Sequence, residues 1–297
     1  MAENSKIEWT DHTFNPWVGC TKISPACDNC YAATWAKRAG TPKLWQGQLR
    51  LTSAANWRQP LKWNMAAAAA GKRAKVFCAS LADVFDNKAD PQWRSELFDL
   101  IERTPDLDWL LLTKRPQNME KMIWPRWWDD GMPRNVWLGT TVENQIEADR
   151  RIPHLLNAPA AVRFLSCEPL LELVDLTSIC TGSYFIDALG GWKYHDAPPD
   201  ISSSTQKCAR LDWVICGGES GPGARPMHPA WARHLRRQCE TASTPFFFKQ
   251  WGDWHPDSLL STNAITGECP PPKMKIGKKR SGRLLDGREH NDFPAVR

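Results

Sequence analysis

Six short apolar runs, rich in β-branched and aromatic residues, punctuate the chain at Lys75–Ala79, Trp109–Thr113, Val136–Thr140, Val162–Ser166, Trp213–Cys216 and Pro245–Phe248. Runs of this length, without alternation, predict strands of a parallel sheet buried on both faces. Helical patterns lie between several of them. Asp90-Pro91 offers an N-cap and a proline for the first helical position, and Trp93, Leu97, Phe98 and Ile101 come next at the helical period. Glu143–Leu156 predicts a second helix, kinked or split at Pro153. His228-Pro229 opens a third, with Trp231, Leu235 and Cys239 on one face. Strands alternating with helices predict an α/β fold with a parallel sheet.

Each predicted strand runs into a polar segment at its carboxyl end. The segments are Ser80-Leu81-Ala82-Asp83, Thr113-Lys114-Arg115-Pro116, Thr140-Thr141-Val142-Glu143-Asn144, Ser166-Cys167-Glu168-Pro169, Cys216-Gly217-Gly218-Glu219-Ser220-Gly221 and Lys249-Gln250-Trp251-Gly252. A polar turn accounts for any one of these. A carboxylate or cation after nearly every strand predicts a shared site at the mouth of a β/α barrel, where all carboxyl ends meet.

Two segments break the rhythm. Glu172–Arg210 is rich in Ser, Thr, Gly, Asp and Pro and has no clear period. It predicts an irregular insertion, about 172–210, within a single domain spanning 1–297. A basic C-terminal tail, about 270–297, contains KMKIGKKRSGR at Lys273–Arg283. This run is either a solvated face or a segment that contacts phosphates.

With 297 residues, 42% of them hydrophobic, the chain has enough material for a real core. Its net charge of +5 is compatible with ordinary solubility or with an anionic partner. Seventeen tryptophans are an unusual load; most are expected in the core or at its rim, and some are candidates for stacking on bases. The polar N-terminus MAENSKIEWTDHTF has no apolar h-region, and no apolar run could span a bilayer. The expectation is a cytoplasmic protein without a membrane partner; its oligomeric state is not legible. The ten cysteines are then not a disulfide framework. Cys78, Cys167, Cys216 and Cys239 lie in apolar or helical segments and are expected to be small buried hydrophobes.

Cys20, Cys27 and Cys30 differ. Six residues separate the first two and two separate the last two, with Gly19, Pro25 and Asn29 marking a loop. Three thiolates could hold an iron–sulfur cluster with one corner left open. The competing reading is zinc, with His12 as a fourth ligand, although the chain offers no second CxxC knuckle at a suitable spacing. A role without metal is the third alternative.

The stretch NPWVGC…CDNCYA resembles the N-terminal cluster motif of radical S-adenosylmethionine (radical-SAM) enzymes, especially those near the spore photoproduct lyase group. The usual superfamily spacing is CxxxCxxC, so the first gap here is three residues longer. Further blocks come in order: SLADVF, LLLTKRP, WLGTTVEN, RFLSCEPLL, WVICGGESG, PFFFKQWG and GRLLDGR. Together with KIEWTDHTFNPWVGCTKISPACDNCYA they resemble a phage- and bacteria-encoded, radical-SAM-like family of unknown function named for its three-cysteine motif.

The resemblance implies a partial or full TIM-like barrel, with the cluster loop after the first strand. It implies that Cys20, Cys27 and Cys30 ligate a 4Fe-4S cluster and that S-adenosyl-L-methionine binds its fourth iron. An external one-electron reductant would then permit formation of a 5′-deoxyadenosyl radical. Tyr31 would shield the cluster, stack near the adenine, or simply pack at a helix start. Ser80, Asp83, Thr140, Glu143, Ser166, Glu168, Gly217, Gly218 and Glu219 become candidate contacts to S-adenosyl-L-methionine or substrate, with the Gly217-Gly218 pair permitting close backbone approach to a ligand. Lys114, Arg115 and Lys249 are candidate contacts to an anionic substrate group. The implied activity is radical modification or repair of a nucleic acid or a nucleotide-derived substrate. The alternatives are radical modification of a peptide or protein, and a non-catalytic iron–sulfur or zinc protein.

Overall fold

The structure is a computed structural model and describes residues 4–195, 205–256 and 274–295. It divides into two compact units: one runs up to Gly139 and includes Ala158–Ala161, and the other holds Thr140–Asn157 and the chain from Val162 onward.

In the first unit, strand β1 (His12–Thr13) is followed by helices α1 (Tyr31–Arg38) and α2 (Gln59–Ala70), strand β2 (Ala74–Cys78), helix α3 (Pro91–Glu102) and strand β3 (Leu107–Thr113). β1 pairs parallel with β2, His12 opposite Val76, and β2 pairs parallel with β3, Val76 opposite Trp109. α3 begins as the sequence predicts. The Asp90 carboxylate accepts the Gln92 N–H at 2.8 Å and Pro91 fills the first helical position. Its Leu97, Phe98 and Ile101 face is buried. Phe14 meets Trp109 edge-on at 5.6 Å and Trp57 at 5.7 Å, which fixes the segment just after β1 in the core.

Strand β4 (Val136–Thr141) crosses the division between the units. The second unit continues with helix α4 (Gln145–Asn157), strands β5 (Val162–Cys167) and β6 (Trp213–Gly217), helix α5 (Pro229–Thr241) and strand β7 (Phe246–Gln250). β5 and β6 pair parallel with Cys167 opposite Cys216, and β6 and β7 pair parallel with Cys216 opposite Phe248. The sheet order is β1-β2-β3-β4-β5-β6-β7, so each strand lies beside its predecessor among these elements. The fold is therefore mixed α/β, built on a seven-stranded parallel sheet.

Three expectations change. Of the two outcomes expected at Pro153, the split does not occur: α4 runs as one helix, with Ala148, Arg151, Ile152, Leu155 and Leu156 buried along it. The segment from Glu172 is not irregular throughout. Strands Ile179–Cys180, Phe185–Asp187, Trp192–Tyr194 and Gln206–Lys207 form a four-stranded antiparallel sheet. Each is two or three residues long, too short for alternation to register in sequence. Residues 196–204 of that segment lie outside the described residues, as do 257–273.

The described part of the basic tail is no free arm. Lys275 donates to the Gly221 carbonyl at 3.0 Å, and Trp251 N–H donates to the Gly282 carbonyl at 3.2 Å. Farther on, Phe248 N–H donates to His290 O at 3.0 Å and Asp292 N–H to Phe246 O at 3.3 Å. Among the described residues, no helix is long and apolar enough to cross a membrane.

Candidate functional site

The three-cysteine loop lies in the first unit. The chain enters it through Gly19, whose N–H donates to Leu81 O at 3.0 Å. Its φ of +124° suits glycine, and a Cβ there would meet Leu44 O at 2.7 Å. Cys20 N–H donates to that same carbonyl at 3.0 Å. Pro25–Cys27 forms a single 3-10 turn, and Cys30 caps α1, its carbonyl accepting Thr34 N–H at 3.1 Å. All three thiols are free and half-buried.

Arg115 reaches into this loop from the end of β3. One guanidinium nitrogen, Nη1, lies 3.7 Å from Cys20 Sγ and donates to Asp83 Oδ2 at 3.0 Å. The other, Nη2, donates to Thr21 O at 3.0 Å and Thr21 Oγ1 at 2.7 Å, and stands 3.2 Å from Asp86 Oδ2. Arg115, Asp83 and Asp86 are all buried. Asp83 also accepts Thr113 Oγ1–H at 2.6 Å and the Lys114 and Phe85 N–H groups at 3.1 and 3.0 Å. Asp83 and Arg115, read from sequence as separate ligand contacts, are thus spent on one another and on the loop. Burial opposes the Arg115 charge, but Asp83, Cys20 and Asp86 outweigh it and hold its pKa above the ordinary value. Burial, reinforced by Asp83, pushes the metal-free Cys20 thiol up to about 12, against the pull of Arg115.

Ser80 closes the other side. Asn15 Nδ2 donates to Ser80 Oγ at 3.0 Å, and Asn15 Oδ1 accepts Leu81 N–H at 2.6 Å. Tyr31, beside the last cysteine, donates its hydroxyl to Ser80 O at 2.5 Å. Tyr31 therefore ties the start of α1 to the end of β2. Lys114 is half-buried, and its ammonium makes no ion pair among the described residues.

Among the described residues no three His, Cys, Asp or Glu side chains are gathered as a ready ligand set. The donor chemistry nonetheless fits a thiolate-bound metal. Three free thiols share one loop, and a guanidinium N–H faces one sulfur, as outer-shell groups around ligating cysteines do. His12 lies in β1, its ring stacked on that of Trp63 with centroids 4.4 Å apart.

In the second unit, Lys249 donates to both Glu168 oxygens at 2.7 and 2.9 Å, and Gln250 Nε2 donates to Oε1 at 3.0 Å. This pair is only partly covered and lies at the carboxyl ends of β5 and β7. Thr140 and Ser166 are buried within β4 and β5. Glu143 is no open strand-end carboxylate: it is fully buried, 2.8 Å from Arg151 Nη1. Glu219 does not project freely either. It accepts Arg225 N–H at 2.8 Å, Nε at 2.9 Å and Nη2 at 2.7 Å.

The glycine pair also changes meaning. A Cβ on Gly218 would lie 2.0 Å from Trp251 O, so the close approach is by the chain after β7, not by a ligand. A Cβ on Gly217 would make ordinary contact with Glu168 at 3.4 Å. Gly218→Ala is therefore expected to cost about 3 kcal/mol and Gly217→Ala less than about 1 kcal/mol, read as urea midpoints of the purified variants. Equal midpoints for the two variants would contradict this packing.

Four residues that position these groups carried no signal of their own in the sequence: Asn15, Thr21, Asp86 and Arg151. Asn15 and Thr21 lie inside the cysteine motif, and Asp86 stands three residues past Asp83. Proximity to those blocks was the one available clue. Cys78, Cys167, Cys216 and Cys239 are buried as expected, and burial raises each thiol's pKa.

A parallel α/β sheet with a three-cysteine loop clasped by a buried arginine defines the class: an α/β protein with a candidate thiolate metal centre. The chain belongs to the family described as "Protein of unknown function (DUF5131)", whose model matches residues 4–294. No curated protein and no solved structure matches the chain.

Proposed function

We propose that this protein is a radical-SAM-type enzyme on a partial or full TIM-like barrel, modifying or repairing a nucleic acid or a nucleotide-derived substrate. The observation that carries the reading is the loop itself. It holds three free cysteines, with the Arg115 guanidinium facing Cys20 Sγ at 3.7 Å. Cys20, Cys27 and Cys30 would hold a 4Fe-4S cluster, which when bound supplies one-electron chemistry toward S-adenosyl-L-methionine.

The chain's own residues do the rest. Arg115 and Thr21 fix the approach to Cys20, and Tyr31 anchors the segment after Cys30 to Ser80. Of the candidate cations Lys114, Arg115 and Lys249, Lys114 is the one that makes no ion pair among the described residues, which leaves it for an anionic substrate group. Glu168 and Lys249 offer a paired carboxylate and ammonium at strand ends in the second unit. The net charge of +5 suits a phosphate-bearing substrate, and an external one-electron donor is required.

Anaerobic reconstitution is expected to give brown protein with about four iron and four sulfide per chain. The reduced protein should release 5′-deoxyadenosine from S-adenosyl-L-methionine. Colourless protein that takes up zinc alone would overturn the proposal. Iron-loaded protein that leaves S-adenosyl-L-methionine intact would reduce it to a cluster-binding protein. Binding of single-stranded DNA or RNA that weakens steeply with salt would support the substrate class.

A further inference from the structure

The Arg115–Asp83–Asp86 group has a geometry that a simple buried ion pair does not need. An arginine neutralised by two carboxylates could sit anywhere in the core. This one directs each arm of its fork to the cysteine loop as well. Nη1 faces Cys20 Sγ at 3.7 Å while bonding Asp83, and Nη2 grips both the carbonyl and hydroxyl of Thr21 while facing Asp86. The fork is held from behind, too. Arg115 N–H donates to Thr113 Oγ1 at 2.8 Å, and that hydroxyl donates to Asp83. Asp86 in turn sits in a turn whose carbonyl receives Arg94 Nη2 at 3.2 Å, while Arg94 Nε donates to Val84 O at 2.9 Å. The 80–86 loop is thereby fixed on two sides, and the guanidinium has little room to retreat from the sulfur.

We infer that Arg115 is a positioning residue for the metal centre, setting the place of Cys20 and the redox balance of whatever iron–sulfur group the three cysteines carry. This role rests on the cluster proposed above for those cysteines. A donor N–H and a positive charge beside a ligating sulfur stabilise the added electron, so they favour the reduced state. Asp83 and Asp86 orient the fork, and their negative charge moderates its effect. The guanidinium reaches Cys20 and Thr21 at the start of the loop, so its effect is concentrated at that corner. Lysine can keep the charge but cannot reproduce a fork that reaches a sulfur, a carbonyl and a hydroxyl together.

The test is a dithionite titration of reconstituted full-length protein, followed by electron paramagnetic resonance, for the native chain, Arg115→Lys and Arg115→Gln. Iron content is measured on the same samples. Arg115→Gln is expected to shift the reduced-to-oxidised ratio about tenfold toward the oxidised form, which is ~59 mV for one electron. Arg115→Lys is expected to fall between native and Gln, with a changed spectrum at equal iron. A merely structural arginine would lower iron content or yield without moving the potential of the cluster that remains. Arg126→Gln, which removes an exposed pair with Glu102, serves as the control and should change neither quantity.

Equal potentials and spectra in native and Arg115→Lys protein, at equal iron, overturn the inference and leave the proposed function standing. If Arg115→Gln does not fold, the Lys comparison decides alone. Native protein that takes up no iron overturns both.

Discussion

Cys27→Ala is expected to abolish iron uptake, and Cys239→Ala to leave it intact. On the proposed reading the first loses one of three ligands, and the carboxylates near the loop are already engaged, Asp83 and Asp86 by Arg115 and Asp28 by Lys22. Two remaining thiols cannot hold a cluster that already lacks a fourth protein ligand. Cys239 is as buried as a core aliphatic and sits on the buried face of α5, in the other unit from the three-cysteine loop. Its replacement is a packing change of about 1 kcal/mol. The check is iron and sulfide analysis after parallel anaerobic reconstitution, with circular dichroism confirming that both variants fold. Equal iron loss in the two would mean that the ligands lie elsewhere.

Arg151→Met is expected to destabilise the protein by roughly 3–5 kcal/mol, the range for breaking a buried ion pair from one side. Arg151 is fully buried. Its Nη1 donates to Thr141 O and Glu143 Oε2, each at 2.8 Å, and its Nη2 lies 2.9 Å from Glu147 Oε2. Glu143 is fully buried and loses this charged partner, whereas the nearly buried Glu147 keeps Arg150 at 2.7 Å. Arg151→Met with Glu143→Gln and Glu147→Gln is expected to recover much of the loss, because the desolvation cost leaves along with the charges. Urea denaturation followed by tryptophan fluorescence measures both variants. A loss below about 1 kcal/mol for the single change, the size of an exposed pair, would mean that water reaches this network.

The two networks show which features could be read in advance and which could not. The six apolar runs all form strands of the parallel sheet, because continuous β-branched and aromatic runs have few other uses in a chain of this size. β1 escaped because only His12 and Thr13 pair, and two residues carry no period. The polar blocks after the strands did mark chemistry, but their partners were invisible. Asp83 and Arg115 are 32 positions apart, and nothing in either block says that each exists to hold the other. Glu143 reads as a strand-end carboxylate until Arg151, farther along the next helix, claims it. Gly217 and Gly218 look alike as letters. The Trp251 carbonyl distinguishes them, and it arrives from beyond a different strand. The cysteine spacing was legible, but the arginine facing Cys20 was not, since a contact from the end of β3 leaves no mark on the loop's own sequence.

The C-terminal contacts to β7 bear on how the protein behaves in a crowded solution. β7 is the last strand of the sheet, and its Phe246-Phe247-Phe248 run is the kind of open, apolar margin that recruits a second chain. Phe247 instead bridges antiparallel to Asn291, with backbone bonds to His290 and Asp292 on either side. The opposite margin, β1, is only two residues long and offers little to pair with. His290–Asp292 thus cover one border of the sheet, and the other is too short to template.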